Sequence, residues 1–370
     1  MNMKSTRILV INPGSTSTKI AIYDNTVCTL LKTLHHSISE LAPYKTIGEQ
    51  YEFRKSVILR ELNHDSVDLE SINIVIGRGG LTYPLKSGVY YINELMVNHC
   101  RTGVMGEHAS NLGSLIAYEI AQMYPGTVAL IADPVVTDEM DDIARVSGHP
   151  LFERLSIFHA LNQKAVARQH ASKIGRLYEQ LDLIVVHLGG GITVGAHHNG
   201  RVIDVNNGLD GEGPFSPERS GTLPVGGLIG LCFSGKYTQD EVRLMVNGQG
   251  GLVAYLGTND AREVEIAVNQ GDEKSAFYLE AMAYQVSKSI GEMATVLKGK
   301  IDGILITGGI AYDKNMMTLI RERVEFIAPV SVYPGQDELK SLAMNALMVA
   351  RGEVEAIVYD KTGNQDGEKM

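Results

Sequence analysis

Three things are scarce in this 370-residue sequence. Cysteine is one: Cys28, Cys100 and Cys232 are few, odd in number and far apart. They supply neither a disulfide framework nor the paired spacing of a zinc site, and they fit reduced thiols. Positive charge is another, since 33 Lys and Arg against 43 Asp and Glu leave a formal net charge of −10 and a pI near 5.6. Nucleic acid and anionic membranes are bound through basic patches, so the expected partners are small molecules or other proteins. Long apolar runs are also missing: the run after Lys4 and Arg7 ends at Ile11. That predicts no signal peptide and no membrane span, hence a cytoplasmic protein.

What remains is globular. A hydrophobic content of 44% and a charged content of 21% are ordinary, and the length exceeds what one core usually fills, so two domains are expected.

The stretch Arg7 to Tyr23, RILVINPGSTSTKIAIY, organises the rest. Ile8 to Ile11 is a short β-branched run that reads as a buried strand, and Lys19 to Tyr23 is its return. Between them, Asn12 to Thr18 offer turn-forming backbone, hydroxyls and an amide, with the cation of Lys19 following. Such a loop either cradles phosphate oxygens or is a plain polar hairpin. It is not the Walker form, which leads into a helix.

Thr26 to Leu34 adds a third strand, and Lys45 to Asn63 has the spacing of a surface helix. A strand over Ser71 to Ile76 ends on Gly77, Arg78, Gly79 and Gly80. Glycines permit close approach to a ligand, and an arginine held among them can fork onto carboxylate or phosphate oxygens. Glu107 and His108 precede an amphipathic helix over Ala109 to Met123, closed by Pro125-Gly126. The strand Thr127 to Ala132 then ends on Asp133-Pro134. Asp133 either holds magnesium at a strand's C-terminal edge or simply starts a turn. Glu153 to Ile174 carries Phe158 and His159 at the head of a helical segment.

A similar order then recurs. Leu183 to Val186 is a strand, His187-Leu188-Gly189-Gly190-Gly191 turns the chain, Ile192 to Ala196 returns, and Asn199-Gly200 leads to Arg201 to Val205. Because the glycines run into a strand and not a helix, a dinucleotide fingerprint is the weaker reading of this run. It reads as an internal duplication. Asn206 to Gly221 is a long loop holding Arg219 as a second candidate cation. A helix over Ala276 to Lys298, a strand over Gly303 to Thr307, the turn Gly308-Gly309-Ile310 and a helix over Met316 to Val324 follow. Asp337 and Glu338 open a last helix, Leu339 to Arg351, where acidic residues ordinarily act as caps. The polar tail from Tyr359 onward is expected to fray.

INPGSTSTK, GRGG, GEHASNLG, ADPV, IFHALN, HLGGG, ERSG, TGGI and PGQDEL stand in the order of the acetate kinase family, and the chain most closely resembles its butyrate-kinase branch. The resemblance spans nearly the whole chain. It implies the fold of the acetate and sugar kinase, actin and heat-shock chaperone superfamily: α/β, with two duplicated ribonuclease-H-like domains around a nucleotide cleft. The domains are expected at 1–153 with 340–370, and at 154–339.

By the same resemblance, Asn12, Ser15, Ser17 and Lys19 line the phosphate and metal region, and His187 with Gly189, Gly190 and Gly191 hold nucleotide phosphates. Asp133 and Glu338, with Asn12, support Mg²⁺. Arg78 and Arg219 bind the carboxylate and the transferring phosphoryl group, with His108 and His159 hydrogen-bonding nearby. Asp260, Arg262, Gly308, Gly309 and Ile310 lie beside the adenosine, and Phe158 would wall the acyl pocket. The chain departs from acetate kinases in two places. Arg78 stands where they carry a histidine, with Val75 at the place of their arginine, and HLGGG replaces HLGNG. Both departures are shared with the butyrate branch.

The implied activity is ATP-dependent phosphorylation of a short-chain fatty acid such as butyrate, with ATP/ADP and Mg²⁺ as cofactors and at least a dimer as the assembly. A branched-chain acid such as isobutyrate or isovalerate is an alternative acceptor. A non-enzymatic nucleotide switch and a sugar kinase are rivals. The latter would need an aspartate base, whereas two arginines favour a carboxylate acceptor.

Overall fold

The computed structural model describes residues 5–335 and 337–360. Gln336 of the PGQDEL motif and the tail beyond residue 360 lie outside the described residues. The chain divides into two compact units, Met1–Thr137 with Asp337–Met370, and Asp138–Gln336. The first division thus comes earlier than the expected 153, at the end of the segment following Asp133, and the return comes at Asp337 instead of 340.

The first unit carries β1 (Arg7–Pro13), β2 (Ser17–Asp24), β3 (Val27–His35), α1 (Ile38–Leu41), α2 (Tyr51–His64), β4 (Ile74–Arg78), β5 (Val89–Tyr91), α3 (Glu94–Thr102), α4 (Asn111–Gln122) and β6 (Val128–Ala132). It is completed by α13 (Glu338–Ala350) and β12 (Ile357–Val358). The sheet order is β12-β5-β6-β4-β1-β2-β3. β1 is antiparallel to β2 and parallel to β4, which is parallel to β6. Alternation along β1 buries both faces of the strand: Leu9 and Ile11 join Val57, Ile58 and Leu62 of α2 and Leu112, Leu115 and Ile116 of α4 in one cluster, and Ile8 and Val10 are buried on the other face. The helix α13, with Leu342, Ala343 and Ala346 buried, packs on β1 and β4.

Several elements differ from expectation. The helix expected from Lys45 starts only at Tyr51, because Lys45 and Ile47 give their backbone N–H groups to Glu49 (2.8 Å) and Glu107 (3.0 Å) side chains. The strand expected to end at Ile76 runs on through Gly77 and Arg78. The helix expected as amphipathic, α4, is buried along most of its length. Tyr359, expected in a frayed tail, is 1% exposed; its carbonyl accepts from Asn93 Nδ2 (2.7 Å) and its hydroxyl meets His99 Nδ1 (2.7 Å).

The second unit carries α5 (Asp142–Arg145), α6 (Ala160–Lys173), β7 (Asp182–Leu188), β8 (Ile192–His198), β9 (Arg201–Val205), α7 (Val225–Cys232), α8 (Gln239–Val246), α9 (Gly251–Leu256), α10 (Ala261–Asn269), α11 (Glu273–Val296), β10 (Gly303–Gly308), α12 (Lys314–Val324) and β11 (Val330–Pro334). Its sheet order, β11-β10-β7-β8-β9, repeats the β6-β4-β1-β2-β3 part of the first. The strand directions match as well. Smaller features recur too. Each second strand breaks register against the third just before its turn, at Ile22/Tyr23 and at Ala196/His197, and each turn uses an asparagine with positive φ, Asn25 (55°) and Asn199 (50°). Helices α11 and α12 cover Ile184, Val186, Ile304 and Ile306, while α6 covers Leu183, Val185 and Leu305. Among the described residues no helix is long and apolar enough to cross a membrane.

Candidate active site

In the first unit, Ile11, Gly77 and Ile131 stand in register across three parallel strands. Asn12, Arg78 and Asp133 follow at or just beyond the C-terminal ends, where open α/β sheets present ligand-binding groups. Glycine puts Arg78 there: a Cβ on Gly77 would overlap the carbonyl of Gly113 on α4, and one on Gly113 would overlap the carbonyl of Arg78. Backbone therefore packs on backbone, and the Arg78 side chain leaves from a rigid platform.

Arg78 Nη1 pairs with Glu338 Oε1, both side chains being 13% exposed. Asn12 Nδ2 donates to Glu338 Oε2 at 2.6 Å. The capping role expected at this helix start is filled by Asp337, whose carboxylate accepts from Lys340 N at 2.9 Å, and this leaves Glu338 to the strand edge. Asp133 is 2% exposed, with φ 37°. Its Oδ1 accepts from Ser87 Oγ (2.5 Å) and Gly88 N (3.0 Å) ahead of β5. A non-glycine residue in the left-handed region is strained, and such strain gathers at functional positions.

The polar loop has a support that sequence reading missed. Arg54 of α2 is 1% exposed and takes no carboxylate in an ion pair among the described residues. Its guanidinium donates to the carbonyls of Gly14 (2.6 Å), Ser15 (2.7 Å) and Ser17 (3.1 Å) and to Gln50 Oε1 (2.7 Å). Burial brings its pKa down to about 10. Loop carbonyls are thus gathered inward on a buried cation, while Ser15 and Lys19 are exposed and Asn12 and Ser17 half-buried. His108 is exposed, and its Nδ1 accepts from the backbone N–H of Ser110 (3.2 Å), so in the neutral ring the proton sits on Nε2.

In the second unit, His187 lies near the end of β7 in register with Thr307 of β10. It stacks on His159, which opens α6, with ring centroids 3.8 Å apart and 11° between planes. His187 Nδ1 meets Asn162 Oδ1 at 2.7 Å. The glycine turn closes through Gly189 N to Gly191 O (3.1 Å). A Cβ on Gly191 would overlap Arg219 Nη1, so the guanidinium lies against bare backbone; there Nη1 donates to Gly208 O at 2.6 Å. Ser216 Oγ ties the loop to Gly190 O (2.5 Å) and accepts from Arg219 N (3.2 Å). Burial lowers the Arg219 pKa.

One feature is common to both units. Arg78 Nε and Arg219 Nε are each buried with no hydrogen-bond partner among the described residues. A buried N–H left unmade is costly, and an anionic oxygen would satisfy it.

The third glycine turn is held by Gly308 and Gly335, which exchange backbone bonds of 3.1 and 2.8 Å; Gly308 has φ 97° and no room for a Cβ beside Leu188. Gly309 is exposed with open space above it, and Ile310 is buried. Asp260 caps α10 by accepting from Arg262 N (2.8 Å), and both residues are exposed. Phe158 is 3% exposed, packed with Met140, Ala160, Val202 and Val205 in the core of its unit. Besides Arg54, sequence reading passed over Asn162, Gln163 and Thr193, which bond to the two stacked histidines or to each other. The signal for the first two was present: they lie three and four positions after His159 on one helix, the spacing that shares a face.

Comparison with known proteins identifies the family and the fold. The Acetokinase family profile matches residues 153–338. The chain is 55% identical over 353 residues to butyrate kinase 2 of Clostridium acetobutylicum, covering 95% of this chain and 99% of that protein. It is 54% identical, with the same coverage, to butyrate kinase 1 of that organism. The fold matches the crystal structure of Porphyromonas gingivalis acetate kinase with a TM-score of 0.74 at 20% identity, covering 94% of this chain and all of that one. With that profile across half its length, and relatives of more than half identity along nearly all of it, the chain belongs to the Acetokinase family.

Proposed function

We propose that the protein is a butyrate kinase, transferring the γ-phosphoryl group of ATP to butanoate to give ADP and butanoyl phosphate. The chemistry rests on the two guanidinium groups, Arg78 and Arg219, each holding a buried N–H without an acceptor among the described residues. The acyl class rests on the kinship with two butyrate kinases.

A carboxylate with a pKa of about 4 to 5 is already ionised at neutral pH, so the nucleophile needs no general base. In the first unit, Arg78 would hold the acid's carboxylate through its Nε, and His108 would donate from Nε2. Ser15, Ser17 and Lys19, on the loop gathered over Arg54, would meet phosphate oxygens. In the second unit, Arg219 would spread charge on the transferring group. His187 and Gly189 to Gly191 would hold nucleotide phosphates, His159 would hydrogen-bond beside them, and Asp260, Arg262 and Gly308 to Ile310 would lie on the adenosine side. An in-line displacement needs mainly positioning and charge stabilisation, which these groups provide.

The oxygen donors Asp133, Glu338 and Asn12 fit Mg²⁺. Among the described residues no three His, Cys, Asp or Glu side chains gather as a metal site, so the ion would draw on phosphate and water oxygens, as Mg²⁺ commonly does. When bound, it would neutralise phosphate charge. Phe158 would shape the acyl pocket through the neighbours it supports. A methylene is worth about 1 to 3 kcal/mol in such a pocket, so isobutyrate and isovalerate are the competing acceptors. Self-association as at least a dimer is supported by α7, whose Val225 and Ile229, with Phe233 beside them, are exposed apolar side chains. A cytoplasmic location fits the three free cysteines.

The test is incubation with ATP, Mg²⁺ and each acid, followed by trapping of acyl phosphate with hydroxylamine. Butyryl hydroxamate in excess of acetyl hydroxamate is expected, and Arg78→Ala should lower it by orders of magnitude. ADP release with no hydroxamate from any acid would overturn the assignment.

A further inference from the structure

Behind the stacked histidines runs a chain of buried polar groups whose donors and acceptors can be assigned one by one. Gln163 and Thr193 are 0% exposed, as is His197, and Tyr178 is 4% exposed. Gln163 Nε2 lies 3.1 Å from the backbone carbonyl of Thr193 and 2.9 Å from its Oγ1. A carbonyl only accepts, so this end of Gln163 is its NH₂ and the other end is its oxygen. That oxygen, Oε1, is 3.0 Å from His197 Nε2, which must therefore donate. Burial, with Lys164 and Arg168 adding to it, holds His197 well below its ordinary pKa, and a neutral ring has only one N–H. Its Nδ1 is then an acceptor, and Tyr178 O–H donates to it at 2.7 Å. Gly195 makes room for this crossing, since a Cβ there would sit 2.7 Å from Gln163 Oε1.

The chain's other end reaches His159. Thr193 Oγ1 accepts from Gln163, and among its described partners only His159 Nδ1, 3.0 Å away, can take the threonine proton. We propose that Tyr178, His197, Gln163 and Thr193 form a one-way hydrogen-bond relay that fixes His159 as the neutral imidazole with its proton on Nε2. These four are positioning residues. They aim an N–H donor, not a lone pair, from the ring edge that does not meet Thr193. Protonating His159 at Nδ1 would turn the buried Thr193 hydroxyl away from its acceptor and charge a ring stacked at 3.8 Å on His187, with the guanidinium of Arg219 held nearby against Gly191 and Gly208. The relay thus keeps the ring uncharged and oriented. This deepens the proposed role of His159 in the kinase reaction and rests on it for its use, but the tautomer itself is a property of the protein alone.

The test is ¹⁵N spectroscopy of the full chain labelled at histidine, with the His159 signals assigned through His159→Gln. Between about pH 5.5 and 8.5 the wild-type ring should show a protonated Nε2 and an unprotonated Nδ1, without titrating near its ordinary pKa of about 6.5. Thr193→Val, nearly the same shape without the hydroxyl, should mix the tautomers and let the ring titrate. It should also lower kcat about tenfold, with KM for ATP within about twofold, and Thr193→Ser should restore both readouts. A proton on Nδ1, or an ordinary titration in the wild type, would overturn the relay. If the tautomer behaves as described but Thr193→Val turns over at the full rate, the relay stands and the catalytic use of His159 falls.

Discussion

Arg219 occupies the space that a side chain at residue 191 would need. Its Nη1 lies against Gly191 and donates to Gly208 O at 2.6 Å, and its Nε is buried without an acceptor among the described residues. Alanine at 191 would push the guanidinium off this backbone shelf, since the arginine terminus can move more readily than the strand. Gly191→Ala should therefore lower kcat on the order of a hundredfold while changing stability little, because it displaces a charge-stabilising group and opens no core. Gly148→Ala is the control. A Cβ there would meet nothing within 4 Å, on an exposed residue outside the proposed site, and turnover should stay near wild type. Equal activity in both variants, measured by hydroxamate formation, would show that the position of Arg219 does not matter to the reaction.

Among the elements, α2 does more than cover the sheet. Arg54 threads its buried guanidinium under the β1–β2 loop and collects three carbonyls, an arrangement that the four-carbon stem and single ammonium of lysine cannot reproduce. Arg54→Met would leave those carbonyls without their charged donor, at a cost on the order of 3 kcal/mol in loop order and stability. KM for ATP should rise about tenfold or more, with Arg54→Lys intermediate. An unchanged KM with a loss of stability alone would make Arg54 purely a scaffold residue. The same residue marks where sequence reading stops. The paired strand-loop-strand halves were legible because alternation, short β-branched runs and turn residues are local, and so was the placing of Arg78 among glycines. Arg54 sits on a helix of mixed charge with nothing local to show that it is buried; the partners that bury it lie some forty residues away in sequence. For the same reason the roles of Asp337 and Glu338 could not be separated: both are acidic residues in a first turn, and only the distant Arg78 and Asn12 decide which one caps the helix. Sequence reading also passed over β5, α3 and α7 to α10; among the described residues α7 and α8 bury no side chain, and α8 opens on a Thr238–Glu241 capping box that is a local signal.

At the scale of the whole molecule, acid should unfold this protein through its histidines before its carboxylates. Burial lowers the pKa of His36 and His99 in the first unit and of His170 and His197 in the second, with nearby Arg54, Lys173 and Lys164 adding to it at His36, His170 and His197. Each ring is neutral when folded and binds a proton readily only when unfolded. Between the unfolded pKa of about 6.5 and the lower folded value, the unfolded chain holds more protons, so stability falls as pH falls, by up to about 1.4 kcal/mol per pH unit for each group. Their contribution is complete above about pH 6.5 and shrinks below it. Urea unfolding at about pH 5.5 should therefore show a lower stability than at about pH 7.5, in a range above the ordinary carboxylate pKa of about 4. Because each unit holds two of the rings, both halves of the transition should move if the units unfold separately. His197→Gln, which removes the most deeply buried ring, should flatten the dependence of the second unit alone. A midpoint constant from pH 7.5 to 5.5, followed by a collapse near pH 4, would instead assign acid unfolding to the carboxylates and show that these rings take up protons without opening the fold.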